Sequence, residues 1–526
     1  MKITRNHILF VIDTDSVLNG AYSVMEEMRK EIENKGLSDE IKILETGNLG
    51  ITGRGVTLVI YPEGTYYVNI QKNDVKRIVE EHLLKGRPVK DLILKREVLF
   101  KGATLERIGP GREQVRIVLA NSGVIDPENI EEYIGRGGYE ALEKVLTTMK
   151  SEDVIEEIKK SKLRGRGGAG FPTGLKWESA RKSSGKEKYL ICNADEGEPG
   201  TFKDRLILEG DPHKLIEGMI IAGYAIGTQK GYIYIRGEYA LSIERFNKAI
   251  KDAKKYGLLG NNILDSGFSF DIEVKRGAGA YICGEETALI ESLEGKRGVP
   301  RLKPPYPTVV GFFDKPTVVN NVETLANIAP IIKNGSDWFK KIGTETCPGT
   351  KVYTILGHVY FPGLLEVPMG TILKEIIFAY GGGIKDGKKF KAALIGGAAG
   401  VFLPENLLDA KMDFDNLKEY KAVLGSGAIL VMNEDTDISD MLQSIIEFFN
   451  HESCGKCAPC RIGCKELLTT IKNIRKGKEG QESLTKMISL SEMMFSTSLC
   501  PLGQSLILPV KSAIENFRSD FEQKMI

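Results

Sequence analysis

Apolar and polar positions fall into blocks of different period along the chain. Residues 7–12 and 56–61 are short β-branched runs and predict strands. Between them Val24, Met25, Met28 and Ile32 recur at helical spacing with charges interleaved, which predicts an amphipathic helix over 21–35. A second helix is expected over 73–84, with Asn73 or Asp74 as its cap and Gly86 just beyond its end. Strand, helix, strand, strand, helix describes a small α/β unit.

Residues 101–150 are rich in glycine and charge, including Gly135-Arg136-Gly137-Gly138, and predict a connector. From 151 to 348 helical and strand patterns alternate, with strands expected at 188–193, 231–235 and 270–274. The stretch 349–436 changes to short strands, at 351–355, 391–395 and 428–431, broken by glycine-rich turns, with one helix near 371–379. From 437 to 526 the pattern is helical, over 438–449, 464–474, 482–494 and 504–524, and predicts a small bundle.

A chain of 526 residues is too long for one core, so several domains are expected. Lys and Arg number 72 against 71 acidic residues, so no net field attracts nucleic acid or an anionic membrane. No apolar run approaches the roughly 20 residues of a membrane helix. The apolar run at 8–12 is too short for a signal peptide and is followed by Asp13 and Asp15. A cytoplasmic location is expected, and eight cysteines there favour metal or redox use over disulfides.

Four of those cysteines form the most specific pattern. Cys454, Cys457 and Cys460 follow a C-x2-C-x2-C spacing, and Cys500 lies in Ser498-Leu499-Cys500-Pro501. Zinc favours paired C-x2-C knuckles or Cys/His mixtures. Three thiolates on one tight loop and a remote fourth suit a [4Fe–4S] cube. Cys464 lies in helical sequence and reads as a small buried residue, and Cys192, Cys283 and Cys347 read as packing.

A second motif is Leu163-Arg164-Gly165-Arg166-Gly167-Gly168-Ala169-Gly170-Phe171-Pro172-Thr173-Gly174-Leu175-Lys176-Trp177. It contains a formal G-x-G-x-x-G, but helical sequence rather than a strand precedes it. Glycines interleaved with Arg and Lys suit a phosphate. Asn193-Ala194-Asp195-Glu196-Gly197-Glu198 follows a predicted strand, where α/β sheets bind ligands. Gly284-Glu285-Glu286-Thr287 and Val319-Asn320-Asn321-Val322-Glu323-Thr324 are uninformative singly, since acids in a first helical turn also complement the helix dipole.

In this order, from about 150 onward, the motifs resemble the flavin- and NADH-binding subunit of respiratory complex I and its relatives in NAD-linked hydrogenases and formate dehydrogenases. The resemblance implies FMN on the glycine-rich loop, with Gly165, Arg166, Gly167 and Lys176 at its phosphate and ring edge. It implies Asn193, Asp195, Glu196, Tyr281, Gly284 and Glu285 facing the flavin and ribityl chain, and Val319, Asn320, Asn321 and Thr324 at the phosphate end. NADH is expected to stack on the flavin using Phe171, Glu198, Glu286, Lys303 and Tyr306. Ser179 stands where the family has an adenine-stacking aromatic. The cluster ligands are expected to be Cys454, Cys457, Cys460 and Cys500.

The implied fold is α/β and multidomain. A thioredoxin-like domain is expected over 1–100, a connector over 101–150, a Rossmann-like FMN- and NADH-binding domain over 151–348, a β-grasp domain over 349–436 and a cluster-bearing helical bundle over 437–526. The thioredoxin-like domain of relatives carries four cysteines for a [2Fe–2S] cluster. Val11, Ser16, Asn48 and Thr52 stand at those positions, so a clusterless domain is expected, kept for docking or shape. A ferredoxin-like C-terminal extension is not expected either, since 26 residues without cysteine follow Cys500.

The implied function is hydride exchange between NADH and FMN, then single-electron transfer through the [4Fe–4S] cluster to partner subunits. No side chain need act as a nucleophile; Glu196 and Glu286 are expected to position the reactants. The partners are iron–sulfur subunits, including a small [2Fe–2S] thioredoxin-like one, of a hydrogenase, formate dehydrogenase or electron-bifurcating complex. Neither nucleic acid nor membrane insertion is expected. The competing reading is a non-catalytic scaffold subunit with a decayed flavin site. The intact flavin loop argues against it.

Overall fold

The computed structural model describes residues 4–94 and 114–525, so parts of the expected N-terminal unit and connector, 1–3 and 95–113, lie outside the described residues. Three sheets organise the chain. The first holds β1 (Asn6–Val11), β2 (Ile41–Thr46), β3 (Leu58–Tyr61) and β4 (Thr65–Tyr67) in the order β2-β1-β3-β4. β1 runs parallel to β2 and antiparallel to β3. The helix Ala21–Asn34 buries Val24, Met25, Met28 and Ile32, the residues whose spacing predicted it. The next helix starts at Lys72, not at 73 or 74. Asp74 serves inside its first turn, accepting the Gln71 N–H at 2.9 Å. It widens into a π-helical stretch over Ile78–Leu84.

The second sheet holds β5 (Tyr189–Ala194), β6 (Lys230–Ile235), β7 (Asp271–Arg276) and β8 (Thr317–Asn321), all parallel, in the order β7-β6-β5-β8. Its direction of growth reverses between β5 and β8, which opens a crevice at their carboxyl ends. The helix Pro212–Ile226 is buried almost throughout and covers β5 and β6. Asp211 caps it by accepting from the Lys214 amide, Pro212 opens it, and Gly227 closes it at φ +82°. A Cβ on Gly218 would lie 2.2 Å from the Leu325 carbonyl, so glycine sets the close helix contact there.

The expected connector is not a linker over its described part. Helices Ile130–Gly135 and Glu140–Thr148 share one core with the second sheet, through Ile117, Ile130, Leu142 and Val145. The buried Glu217 holds them, accepting from the Tyr133 hydroxyl at 2.6 Å and the Leu142 amide at 3.0 Å. Glycine and charge in this stretch mark turns between packed helices.

The third sheet has the order β10-β9-β13-β11-β12, from β9 (Thr350–Gly357), β10 (Gly363–Pro368), β11 (Phe390–Ile395), β12 (Val401–Pro404) and β13 (Ala428–Asn433). Only β9 and β13 pair in parallel. The helix expected near 371–379 is a π-helical turn over Glu375–Tyr380. The C-terminal bundle comprises Ile438–Glu452, Ala458–Arg475, Glu482–Thr497 and shorter helices. The single helix expected over 504–524 is broken. Phe517 leaves helical backbone at φ −134°, after Asn516 has turned to donate to the Phe402 carbonyl at 3.0 Å.

The N-terminal unit docks through the end of β1. Thr14 donates its amide to Glu209 at 3.0 Å, and the buried Arg245 donates to the carbonyls of Ile12 and Glu209 at 2.7 Å each. No helix among the described residues is long and apolar enough to cross a membrane.

Candidate functional site

The glycine-rich loop closes on itself before it starts a helix. Gly165 donates to the Phe171 carbonyl and Thr173 to the Leu163 carbonyl, both at 2.9 Å, and Thr173–Lys182 follows as helix. The helix Ser151–Lys160, not a strand, precedes the loop. The loop lies on the carboxyl end of β8: a Cβ on Gly167 would stand 2.9 Å from the Asn321 Cβ. The amide of Arg166 donates to the Thr324 hydroxyl at 2.8 Å.

Arg166 does not offer its guanidinium to a phosphate. That group is fully buried and donates to the carbonyls of Thr350, Arg164 and Pro348 at 3.1, 3.0 and 2.8 Å. It joins the loop to the start of β9. Arg164 latches the same two units, pairing with Asp415 at 3.0 Å and stacking on Phe414 at 4.5 Å from the ring centre.

At the end of β5, Asn193 donates to the Gly284 carbonyl at 2.9 Å and accepts from the Asp195 amide at 3.0 Å. Both carboxylate oxygens of Asp195 are buried without a hydrogen-bond partner among the described residues. Burial pushes that carboxyl up to about 7, with Arg236 opposing the shift. A Cβ on Gly284 would lie 4.0 Å from Asp195 Oδ2, so the acid faces bare backbone.

Glu196, expected to face the flavin, is turned the other way. Its carboxylate accepts from the amides of Asp204 and Arg205 at 2.9 and 3.1 Å, at the start of the helix Lys203–Gly210. Burial pushes it up to about 7. Glu198 reaches the loop before β12, accepting from the Ala399 amide at 3.3 Å. Glu285 caps the helix Glu286–Leu293 through the amides of Thr287 and Ala288. Glu286 pairs with Lys176 at 3.2 Å and Lys303 at 2.9 Å, and Lys176 also donates to the Val319 carbonyl at 3.1 Å. Asn320 accepts from the buried Trp177 indole at 2.8 Å. Phe171 and Tyr306 stay 54% and 56% exposed, large values for aromatic rings. Ser179 meets the Thr308 hydroxyl at 3.0 Å, a polar pair where an aromatic was expected.

Cys454, Cys457, Cys460 and Cys500 line one cavity, together with Ile282, Pro300, Lys456 and Leu502. Cys457 and Cys500 each stand just before a helix. Among the described residues no three His, Cys, Asp or Glu side chains are grouped to hold a single metal ion. Four thiols around a cavity, not around a point, fit a cluster better than zinc. Cys464 is fully buried 4.0 Å from the Cys460 sulfur, in the bundle core, and does not line the cavity.

Flavin side and thiol side share one loop. Ile282 lines the thiol cavity, while Gly284 faces Asp195. The Tyr281 amide donates to Glu452 at 3.0 Å, and the Tyr281 ring packs on Phe448 at 5.0 Å. Arg297 donates to the Cys454 carbonyl at 2.8 Å and Lys456 to the Pro300 carbonyl at 2.6 Å. Sequence reasoning missed Glu452, Arg297 and Lys456 as the residues that close this junction. Glu452 directly precedes the cysteine loop, the one signal that could have found it.

An orphaned buried acid over bare glycine backbone, beside a phosphate-type loop, fits a flavin, and the thiol cavity fits iron–sulfur. The chain is therefore an iron–sulfur flavoprotein by construction. Comparison with known proteins agrees: residues 158–330 match the Nuo51 FMN-binding domain and 440–524 the NADH-ubiquinone oxidoreductase-F iron-sulfur binding region. The NADP-reducing hydrogenase subunit HndC of Solidesulfovibrio fructosivorans is 52% identical over 411 residues, 78% of this chain and 84% of that one. The F-type subunit of the NADH-quinone oxidoreductase of Aquifex aeolicus is 50% identical over 395 residues, 75% of this chain and 91% of that one. The solved NAD+-reducing [NiFe]-hydrogenase in the H2-reduced state superposes with a TM-score of 0.70 at 29% identity, covering 99% of this chain and 84% of that one.

The chain belongs to the family of F-type subunits of NADH-quinone oxidoreductase and their hydrogenase counterparts. It is an NADH-oxidising flavoprotein subunit with FMN and a [4Fe–4S] region, and it passes electrons to partner subunits.

Proposed function

We propose that the flavin lies in the crevice between β5 and β8, with its phosphate end on Gly165–Gly167, Asn321 and Thr324 and its ring side toward Asp195, Gly284 and Glu286. The Asp195 carboxyl carries this reading, because no hydrogen bond among the described residues repays its burial. FMN held there by these residues would supply the exchange between two-electron hydride chemistry with a nicotinamide and one-electron chemistry with iron–sulfur. The chain's residues hold the pieces in place. Lys176 and Lys303 fix Glu286, and the exposed Phe171 and Tyr306 offer faces for the coenzyme's rings. Loop 281–284 spans the distance to Cys454, Cys457, Cys460 and Cys500.

The first sheet is read as a thioredoxin-like domain, residues 114–348 as a Rossmann-like FMN domain, the third sheet as a β-grasp domain and 437–525 as the cluster-bearing bundle. The N-terminal domain carries no cluster. Val11, Ser16 and Asn48 are buried at the relatives' ligand positions, and Asp13 pairs with Ser16 and Asn48 instead. Its role is read as docking or shape. NADH is proposed as the preferred coenzyme over NADPH, although one relative is named for NADP. A cytoplasmic location and a partner of the hydrogenase, formate dehydrogenase or bifurcating type are proposed as well, from the family and the soluble composition.

The test is direct. The purified full chain binds FMN stoichiometrically and is bleached by NADH under anaerobic conditions. A chain that stays colourless after flavin reconstitution supports the scaffold reading instead.

A further inference from the structure

Behind the carboxyl end of β8 lies a charged cluster that the flavin reading does not use. Lys203, Asp204, Glu323 and Lys351 are each at most 4% exposed. The Lys203 ammonium donates to Asp204 at 2.6 Å, lies 3.0 Å from Glu323, and reaches the Asn321 side-chain oxygen at 3.4 Å. Asp204 in turn accepts from the Asn321 side-chain amide at 2.6 Å. Glu323 also takes Lys351 at 2.6 Å and the Val352 amide at 2.8 Å. Glu196 flanks the cluster from the capped end of the helix Lys203–Gly210.

The effect on Asn321 is specific. A carboxamide can be turned end for end at little steric cost, but here one end faces a cation and the other a carboxylate. Lys203 on the oxygen and Asp204 on the nitrogen both select the same orientation. The oxygen also accepts from the Glu323 amide at 3.0 Å. One N–H of Asn321 is left over. Nearby, the Thr324 hydroxyl accepts from the Arg166 amide, so its own proton is free to point elsewhere.

We propose that Lys203 is a positioning residue for the flavin phosphate: paired with Asp204, it fixes the Asn321 carboxamide so that its spare N–H faces the glycine-rich loop. This rests on the phosphate-end reading above. Lys203 itself touches no ligand. Its ion pairs are buried, so the arrangement is rigid before the ligand arrives, and preorganised donors are worth most to a charged acceptor in a dry site.

The ligand pair that tests it is FMN against riboflavin, which lacks the phosphate. Affinity of the flavin-stripped full chain for each is measured by fluorescence quenching, with melting temperature as a fold control. Wild type favours FMN, and Lys203→Met weakens FMN about tenfold while riboflavin stays within about twofold. Lys203→Gln, which keeps a donor for the Asn321 oxygen, falls between. Either variant that folds yet keeps the wild-type FMN-to-riboflavin ratio overturns the proposal. So does an equal loss for both flavins, which marks a purely structural lysine. Asn321→Ala separates the two levels. If it loses discrimination while the Lys203 variants keep it, the phosphate-end reading stands and the role of Lys203 falls; if it too keeps discrimination, both fall.

Discussion

The Glu323 carboxylate and the Lys351 ammonium meet at 2.6 Å with no surface exposed on either residue. Glu323 lies two residues after Asn321, and Lys351 is on β9 of the next unit. The flavin crevice is therefore tied to the third sheet by a buried charge pair, beside the Arg166 guanidinium that grips the carbonyls of Pro348 and Thr350. Glu323→Gln keeps the volume but leaves Lys203 and Lys351 without their shared counterion. Removing one partner of such a pair costs about 3–5 kcal/mol. The expected outcome is a melting temperature lower by on the order of 10 °C in calorimetry.

Gly167 is the loop glycine whose missing side chain bears most directly on β8. A Cβ there would meet the Asn321 Cβ at 2.9 Å, and Asn321 is pinned from behind by Asp204. Gly167→Ala must lift the loop off β8. FMN affinity is expected to fall at least about tenfold, and the melting temperature of the flavin-free chain to drop as well, since such overpacking costs about 1–3 kcal/mol. Isothermal titration with FMN measures it.

The difference between what was legible in the sequence and what was not follows from distance along the chain. Strands β5, β6 and β7 were legible at 188–193, 231–235 and 270–274 as short apolar runs, whereas β8, at the edge of the parallel sheet, was not expected. The cysteines read directly because three ligands lie within seven residues. Arg166 and Glu196 were misread because their partners are supplied by the fold: the Arg166 acceptors Pro348 and Thr350 lie about 180 residues away. Glu196 looked like a ligand-facing acid, yet a turn delivers it to the first amides of the next helix. The helices in 114–150 were hidden because their turn glycines dominated the composition, and because Glu217, which holds them, lies far along the chain.

Asp195 gives a pH dependence with a definite sign. Its folded carboxyl titrates near 7 because of burial, while unfolded it titrates near the ordinary 3.8. Between these values the folded state holds a proton that the unfolded state has lost. Stability of the flavin-free chain therefore falls as pH rises from about 4 through 7, and this loss is complete above 7. Asp195→Asn removes that part of the slope. Melting curves at pH 5 and pH 8 for both proteins check it: the difference between the two pH values shrinks in the variant.

Coenzyme choice rests more on Glu198 than on Glu286. Glu286 is offset by Lys176 and Lys303, two cations that could accept a phosphate. Among the described residues Glu198 has no cation as a hydrogen-bond partner, so when ionised its charge is less offset than that of Glu286 toward a 2′-phosphate nearby. Glu198→Gln is expected to raise kcat/KM for NADPH relative to NADH by about tenfold, the worth of one unscreened like-charge contact. Glu286→Gln changes that ratio less and raises KM for both. Steady-state kinetics with an artificial acceptor measures each ratio.

Cys500 separates the two halves of the electron path. It lines the thiol cavity from a loop of its own, and burial pushes its thiol up to about 11. Ser is a far weaker ligand for iron than Cys, so it should not hold that corner. Loop 281–284 links the flavin crevice to the cavity, and its anchors Glu452, Phe448 and Asn193 do not involve Cys500. Cys500→Ser is therefore expected to lose the low-temperature paramagnetic signal of the reduced cluster while NADH still bleaches the flavin at a rate within about threefold of wild type. Electron delivery to a one-electron acceptor protein should fall by at least about tenfold, because the exit is gone. Loss of flavin bleaching together with the cluster signal would contradict the separation of the two sites by that loop.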